Sequence, residues 1–292
     1  MTPEASPALE VRGLHVEVRS GREMLSVVRD VSFTIRRGET LGVVGESGSG
    51  KTVTAQAIMR LLPSPPFHQA ADQMALDGND LLSASEAELR HWRGRELAMI
   101  FQDPMTALNP VFTIGDQIAE ALLCHGMAGK AEARRRAVAL LASVGVPEPE
   151  LRALAYPFEF SGGMRQRAVI ATAIACGPKL LIADEPTTAL DVTVQAQIFA
   201  LLGDIQRRTA TAILLISHDL ATISRIADRI MVMYGGRIME QAPARSLVRS
   251  PRHPYTQALL RSAPHLAAGA PPRELPELPG TAPSAAELAR LG

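Results

Sequence analysis

Apolar and polar positions alternate over Leu9–Val18 and again over Val27–Ile35, with Ser20–Arg22 between them. A period of two turns one side of each segment toward a core and the other toward water, so a pair of strands joined by a turn is expected. The pattern then shortens. Leu41–Val44 is a brief apolar run that leads into a glycine-rich stretch, and a helix is expected from about Lys51. Leu180–Ala183 and Ala212–Ile216 are runs of the same kind, suited to strands covered on both faces. From about Met105 to Pro157 the apolar spacing is mostly helical, with Ala-rich, Arg-bearing segments such as Ala131–Val144. Strands alternating with helices imply a parallel α/β sheet, and the helical stretch, about residues 103–165, reads as an insertion.

Composition narrows the function classes. Lys plus Arg and Asp plus Glu both number 30 in 292 residues, so there is no basic excess of the kind that grips nucleic acid phosphates. Met1–Glu10 holds acids and two prolines and lacks the apolar core of a secretory signal. No run reaches the roughly 18–20 apolar residues that a membrane-spanning helix needs. Any work at a membrane is therefore expected at its surface. Cys124 and Cys176 fall in apolar, helical stretches and are expected as buried or half-buried thiols, not as a disulfide or metal site. After about Gln241 the composition changes, and Pro271, Pro272, Pro276, Pro279 and Pro283 suggest an extended strap or a mobile tail.

Chemistry enters at two places. Gly45-Glu46-Ser47-Gly48-Ser49-Gly50-Lys51-Thr52 fits G-x-x-x-x-G-K-[ST] between an expected strand and an expected helix. Glycines let the backbone curl until successive N–H groups face phosphate oxygens, and the helix N-terminus adds partial positive charge. Lys51 is expected to reach the β- and γ-phosphates of ATP, with Val53 among the nucleotide contacts and the Thr52 hydroxyl on Mg²⁺. The second place is the end of Leu180–Ala183, where Asp184 and Glu185 follow. Two acids closing a buried strand need a cation or a proton to manage. Asp184 is expected to bind Mg²⁺ through water, and Glu185 to polarise the attacking water as general base.

Phe160-Ser161-Gly162-Gly163-Met164-Arg165-Gln166-Arg167 resembles the signature sequence of ABC ATPases. Gln102 in Ile100–Pro104, Asp191 in Ala189–Asp191 and His218 in Ser217–Asp219 match further landmarks of that family, in order, over about residues 9–240. The resemblance implies a P-loop NTPase (RecA-like) core with an antiparallel β subdomain, an inserted α-helical subdomain and a C-terminal extension. It places the nucleotide-binding domain at about 8–245 and the extension at 246–292. It also implies that two ATPase subunits, identical or homologous, clasp ATP between them. Ser161 is a good cap for a helix starting near Gly162, whose N–H groups, with Gly163, would meet the γ-phosphate bound by the opposite subunit. By the same resemblance His218 contacts the γ-phosphate and orients Glu185, Asp191 lies at the dimer seam, and Gln102 senses Mg²⁺ and water. One family feature is missing: Val18 stands where an aromatic usually stacks on adenine.

Gln102–Pro110 and His253–Leu260 are similar to stretches of one subgroup, the ATPases of oligopeptide, dipeptide and nickel importers. That likeness implies two transmembrane permease subunits, an extracytoplasmic solute-binding protein and a peripheral place on the cytoplasmic face of the cell membrane. Many of these relatives continue past Pro-Gly-Thr-x-Pro, as in Pro279–Pro283, into cysteines that bind iron and sulfur. No cysteine follows Cys176, so no iron–sulfur cluster is expected from these residues. The alternatives are a non-transport ABC ATPase acting on nucleic acid or ribosomes, and a subunit that binds nucleotide without hydrolysing it. The first lacks support from charge, zinc cysteines or a long coiled coil; the second is opposed by a full set of catalytic residues.

Overall fold

The computed structural model describes residues 6–188 and 190–262. The proline-rich tail and Pro279–Pro283 lie outside the described residues. The chain forms two compact units, one built from the segments before Ser85 and after Thr211, the other from Ser85–Thr211.

The first unit carries strands β1 (Leu9–Ser20), β2 (Glu23–Ile35), β3 (Thr40–Val44), β4 (Phe67–Ala70), β5 (Gln73–Leu76) and β6 (Asn79–Asp80). Helix α1 spans Lys51–Ile58. An antiparallel sheet runs β2-β1-β5-β6, with β4 also on β1. The two leading strands are longer than their alternation suggests. Arg19 pairs with Met24 and Ser20 with Glu23, so backbone pairing carries the hairpin beyond its apolar part. On the inner face Leu9, Val11, Leu14 and Val16 pack with Val28, Val31, Phe33 and Ile35, all buried. Each such side chain withdrawn from water contributes about 1.5–3 kcal/mol.

The second unit opens with α2 (Glu86–Trp92) and β7 (Leu97–Ile100), followed by α3 (Pro104–Ala107), α4 (Ile114–Cys124), α5 (Lys130–Ser143) and α6 (Pro149–Ala153). After these come α7 (Gly162–Ile174), β8 (Leu180–Asp184) and α8 (Val192–Thr209). Helices α3 to α6 fall within the 103–165 stretch read as inserted; the compact unit that holds them is longer. Strands β7 and β8 pair in parallel, Leu97 against Leu180 through Ile100 against Ala183. Helix α4 turns Ile114, Ile118 and Leu122 inward at helical spacing. Cys176 is buried, but Cys124 is exposed, contrary to the expectation of two sheltered thiols. The reason is local: Cys124 is the last residue of α4, where the inward stripe through Leu122 has already turned away.

The first unit resumes with β9 (Ala212–Ser217), α9 (Leu220–Ile226), β10 (Arg229–Tyr234), β11 (Arg237–Pro243), α10 (Ala244–Arg249) and α11 (Pro254–Arg261). Here β3 lies between β9 and β10, parallel to both, and β11 returns antiparallel on β10. Every residue of β3 and β9 is buried, which is why both read as unbroken apolar runs. Helix α11 begins with Pro254 at its first position, and His253 Nδ1 accepts from the Tyr255 N–H at 3.2 Å, as the proline-led pattern implies. Among the described residues no helix is long and apolar enough to cross a membrane.

Candidate active site

The phosphate loop connects the end of β3 to α1, as its motif requires. Lys51 is buried, and its Nζ donates to the carbonyls of Gly45 and Glu46, both at 2.8 Å, and to Ser49 Oγ at 3.3 Å. The loop thus curls around its own ammonium, the arrangement that prepares one cation for phosphate oxygens. Gly50 starts α1 at a φ of 95°, and a Cβ there would lie 2.9 Å from the Val27 carbonyl, so no other residue fits. No side chain caps α1, so its first turn, with Lys51, Thr52 and Val53, presents backbone donors and the positive end of the helix dipole. The far wall is tied down as well: the Gly236 N–H donates to the Ser49 carbonyl at 3.1 Å.

His218 follows β9 in the same unit and is exposed. Its neighbours hold the turn. Ser217 Oγ accepts from the Asp219 N–H at 3.0 Å, and Asp219 caps α9 by accepting from the Ala221 N–H at 2.9 Å. The side chain of His218 is thereby carried at a strand-to-helix junction whose backbone is held on both sides.

The acids stand in the second unit. Asp184 ends β8 and is 2 % exposed, whereas Glu185 is half-buried. Glu185 has a φ of 45°, a left-handed conformation that costs a glutamate about 1–2 kcal/mol. Such strain persists only where the surroundings impose it, and it turns the side chain off the strand direction. Gln102, 83 positions earlier, donates through Nε2 to Glu185 Oε2 at 3.3 Å. The Thr188 hydroxyl, with its single proton, is shared between the Glu185 carbonyl at 3.0 Å and the same Oε2 at 3.3 Å. Gln102 and Glu185, both singled out in the sequence, are therefore brought together. Thr188 was missed, because a threonine in a Pro-Thr-Thr turn carries no pattern that separates a carboxylate partner from an ordinary turn residue.

The signature stretch is local and well defined. Ser161 caps α7, its Oγ accepting from the Met164 N–H at 3.3 Å. Gly162 and Gly163 form the first turn; a Cβ on Gly163 would sit 2.8 Å from Val194 Cγ1, so glycine lets α7 and α8 approach closely. Asp191 caps α8 in the same way, accepting from the Val194 N–H at 2.9 Å. Val18 pairs across the sheet with Phe67, so an aromatic ring does stand on the neighbouring strand although none occupies position 18.

By type, the residues expected to hold Mg²⁺ suit it. A threonine hydroxyl, an aspartate carboxylate and a glutamine amide oxygen are hard ligands, and Mg²⁺ takes few protein ligands beside phosphate and water. The curled loop around Lys51 likewise fits a triphosphate.

Residues 28–188 match the family model described as ABC transporter, and residues 239–292 match the one described as oligopeptide/dipeptide transporter, C-terminal region. The chain is 50% identical over 275 residues to the oligopeptide transport ATP-binding protein OppD of Bacillus subtilis, covering 94% of this chain and 76% of that protein. It is 48% identical over 275 residues to the dipeptide transport ATP-binding protein DppD of Escherichia coli, covering 94% and 83%. Among solved structures it is similar to the dimeric post-hydrolysis state of the ATP-binding cassette MJ0796 bound to ADP and Pi, with a TM-score of 0.71 and 25% identity over 81% of this chain and 98% of that one. By family model, identity and fold alike, the chain belongs to the ABC transporter family and is one of its ATPases.

Proposed function

We propose that this chain hydrolyses ATP to drive a peptide importer, with the Glu185 carboxylate as general base. The observation that carries the assignment is the pinning of Glu185 by Gln102 and Thr188 through a single oxygen, Oε2. These contacts steady the Glu185 side chain at a strained backbone position, and an ionised carboxylate held beside the phosphate can accept a proton from water. Lys51 neutralises phosphate charge, and backbone N–H groups of Gly48 to Val53 orient the phosphates. Thr52, Asp184 and Gln102 would hold Mg²⁺, which when bound neutralises charge on the transferring phosphoryl group. Ser161, Gly162 and Gly163 of a second subunit close over the nucleotide, and His218 orders the γ-phosphate and Glu185. The catalytic domain covers about 8–245, and the extension follows from 246.

The membrane partner has a fitting surface on the second unit. The Ile114 N–H donates to the Ala155 carbonyl at 2.9 Å, drawing the segment before α4 beside the segment after α6. Val111, Phe112, Leu154 and Phe158 are all exposed there, Leu154 to 73 %. A groove of about 310 Å³, lined by Leu154, Val138, Thr113 and Gly115 among others, opens beside them. Exposed apolar side chains around a groove mark a docking site for another chain. A permease subunit is the occupant that fits an ATPase of this family, with Gln102 linking its loop to the chemistry. On this reading the chain works peripherally, on the cytoplasmic face of the membrane. The names of the relatives point to oligopeptides or dipeptides as cargo, selected by the permease and a solute-binding protein.

The test is Glu185→Gln. ATP binding is retained, ATP-dependent dimers accumulate, and turnover falls by about 10²–10⁴-fold. Turnover at the wild-type rate would show that another group is the base.

A further inference from the structure

The C-terminal extension reaches the phosphate loop. Tyr255, in the first turn of α11, accepts from the Glu46 N–H at 3.2 Å across 209 positions of sequence. Three observations show the contact to be built. The Tyr255 ring packs on Tyr234, at the end of β10, with centroids 4.7 Å apart. Glu240 on β11 accepts from the N–H groups of Arg252 and His253 at 2.9 and 3.0 Å, anchoring the entry to α11. Thr256, the next residue, is fully buried, so the helix is seated rather than lying on the surface.

The peptide joining Gly45 to Glu46, the Glu46 peptide, links the two. Its N–H, that of Glu46, is held by Tyr255, and its carbonyl, that of Gly45, accepts from Lys51 Nζ at 2.8 Å. One peptide plane therefore connects the extension to the loop's cation. We propose that Tyr255 is a positioning residue for nucleotide binding, and that the extension adjusts nucleotide affinity through the Glu46 peptide. The inference rests on the ATPase reading of this loop and assigns it a control element. The N–H of Glu46 is directed to the phenol, so the first turn of the loop is fixed from behind while its later N–H groups serve phosphate. Burial pushes the Tyr255 phenol up to about 12, and the Glu46 carboxylate lies within its reach. The hydroxyl thus stays protonated at neutral pH and can accept from the N–H while its proton serves the carboxylate. By reciprocity, bound nucleotide must tighten α11 by the same factor with which α11 tightens nucleotide.

The test removes one hydroxyl from the full chain. Tyr255→Phe keeps the ring on Tyr234 and leaves the thermal midpoint near that of wild type. The loss of one hydrogen bond weakens MgADP binding, measured by calorimetry, about 3- to 10-fold and raises KM for ATP similarly, with kcat changed less than about twofold. In wild type, deuterium exchange of the peptide holding Glu46 is slow, and MgADP further protects Pro254–Arg261; in the variant both protections diminish. Equal MgADP affinity in the two proteins overturns the proposal, as does unprotected exchange at Glu46 in wild type. A wild type that binds no MgADP refutes instead the ATPase reading on which the proposal stands.

Discussion

The phosphate loop and the acid pair solve the same problem of holding charge in place, by opposite means. Gly45, Glu46 and Ser49, which accept from Lys51 Nζ, all lie within six positions of it. Around Glu185 the decisive partner, Gln102, is 83 positions away. The loop is a local object, shaped by glycines between a strand and a helix, so its geometry travels with its motif. The acid is an assembled object, whose orientation depends on β7 pairing with β8 so that the chain leaving each strand meets the other. A local site takes its basic shape from its own motif; an assembled one can be switched, because shifting one strand end or its loop disengages it. Binding by a local loop and hydrolysis by an assembled acid suit a motor that must hold ATP before spending it.

Three further variants press on this difference. Lys51→Ala attacks the local half. It removes the only side-chain cation of the phosphate loop, and turnover falls on the order of 10²–10³-fold together with nucleotide affinity, read by calorimetry and phosphate release. Turnover lost with affinity intact would mean that the loop is not self-sufficient in binding. Gln102→Ala attacks the assembled half. It takes one donor from the Glu185 carboxylate, and a hydrogen bond to a charged group is worth about 1.5–3 kcal/mol, so kcat falls at least about tenfold while affinity stays within twofold. A fall in affinity as large as the fall in kcat would erase the distinction between the halves.

The smallest effect concerns the anchor of the extension. Partial burial pushes the Glu240 carboxyl upward, but the N–H groups of Arg252 and His253 outweigh it and hold the group below the ordinary glutamate value of 4.5. A carboxyl depressed in the folded state contributes stability above its unfolded value and loses it as pH falls through the folded one. Glu240→Gln is therefore less stable than wild type at pH 7 by no more than about 1 kcal/mol, given its solvent access. The gap closes as the pH falls below about 4.5, as thermal melts across pH will record. A gap that persists unchanged in acid would assign the anchor to packing rather than charge.

How much of this was legible beforehand depended on the reach of each contact. The strands at Leu41–Val44 and Ala212–Ile216, the helix from Lys51 and the cap at Ser161 follow from residues within a few positions of one another, and all stand in the structure as read. The hairpin of β1 and β2 was read short because Arg19, Ser20, Glu23 and Met24 pair through backbone atoms that every residue shares. Cys124 was misjudged because the burial of a helix-end residue depends on where the helix stops relative to its neighbours.

The linear order of residues settled which atoms can do chemistry here: glycines that permit a curled loop, a lysine and a threonine at its helix, two acids at a strand end, a serine before two glycines. These are matters of residue type and short spacing, where steric freedom and hydrogen-bonding capacity act over one or two turns of chain. Folding alone decided that Gln102 meets Glu185, and that a tyrosine 209 positions away grips the phosphate loop. Such contacts join residues that sheet pairing and helix packing bring within 3.5 Å, and a sequence carries no local mark of a neighbour that only burial of the core will supply.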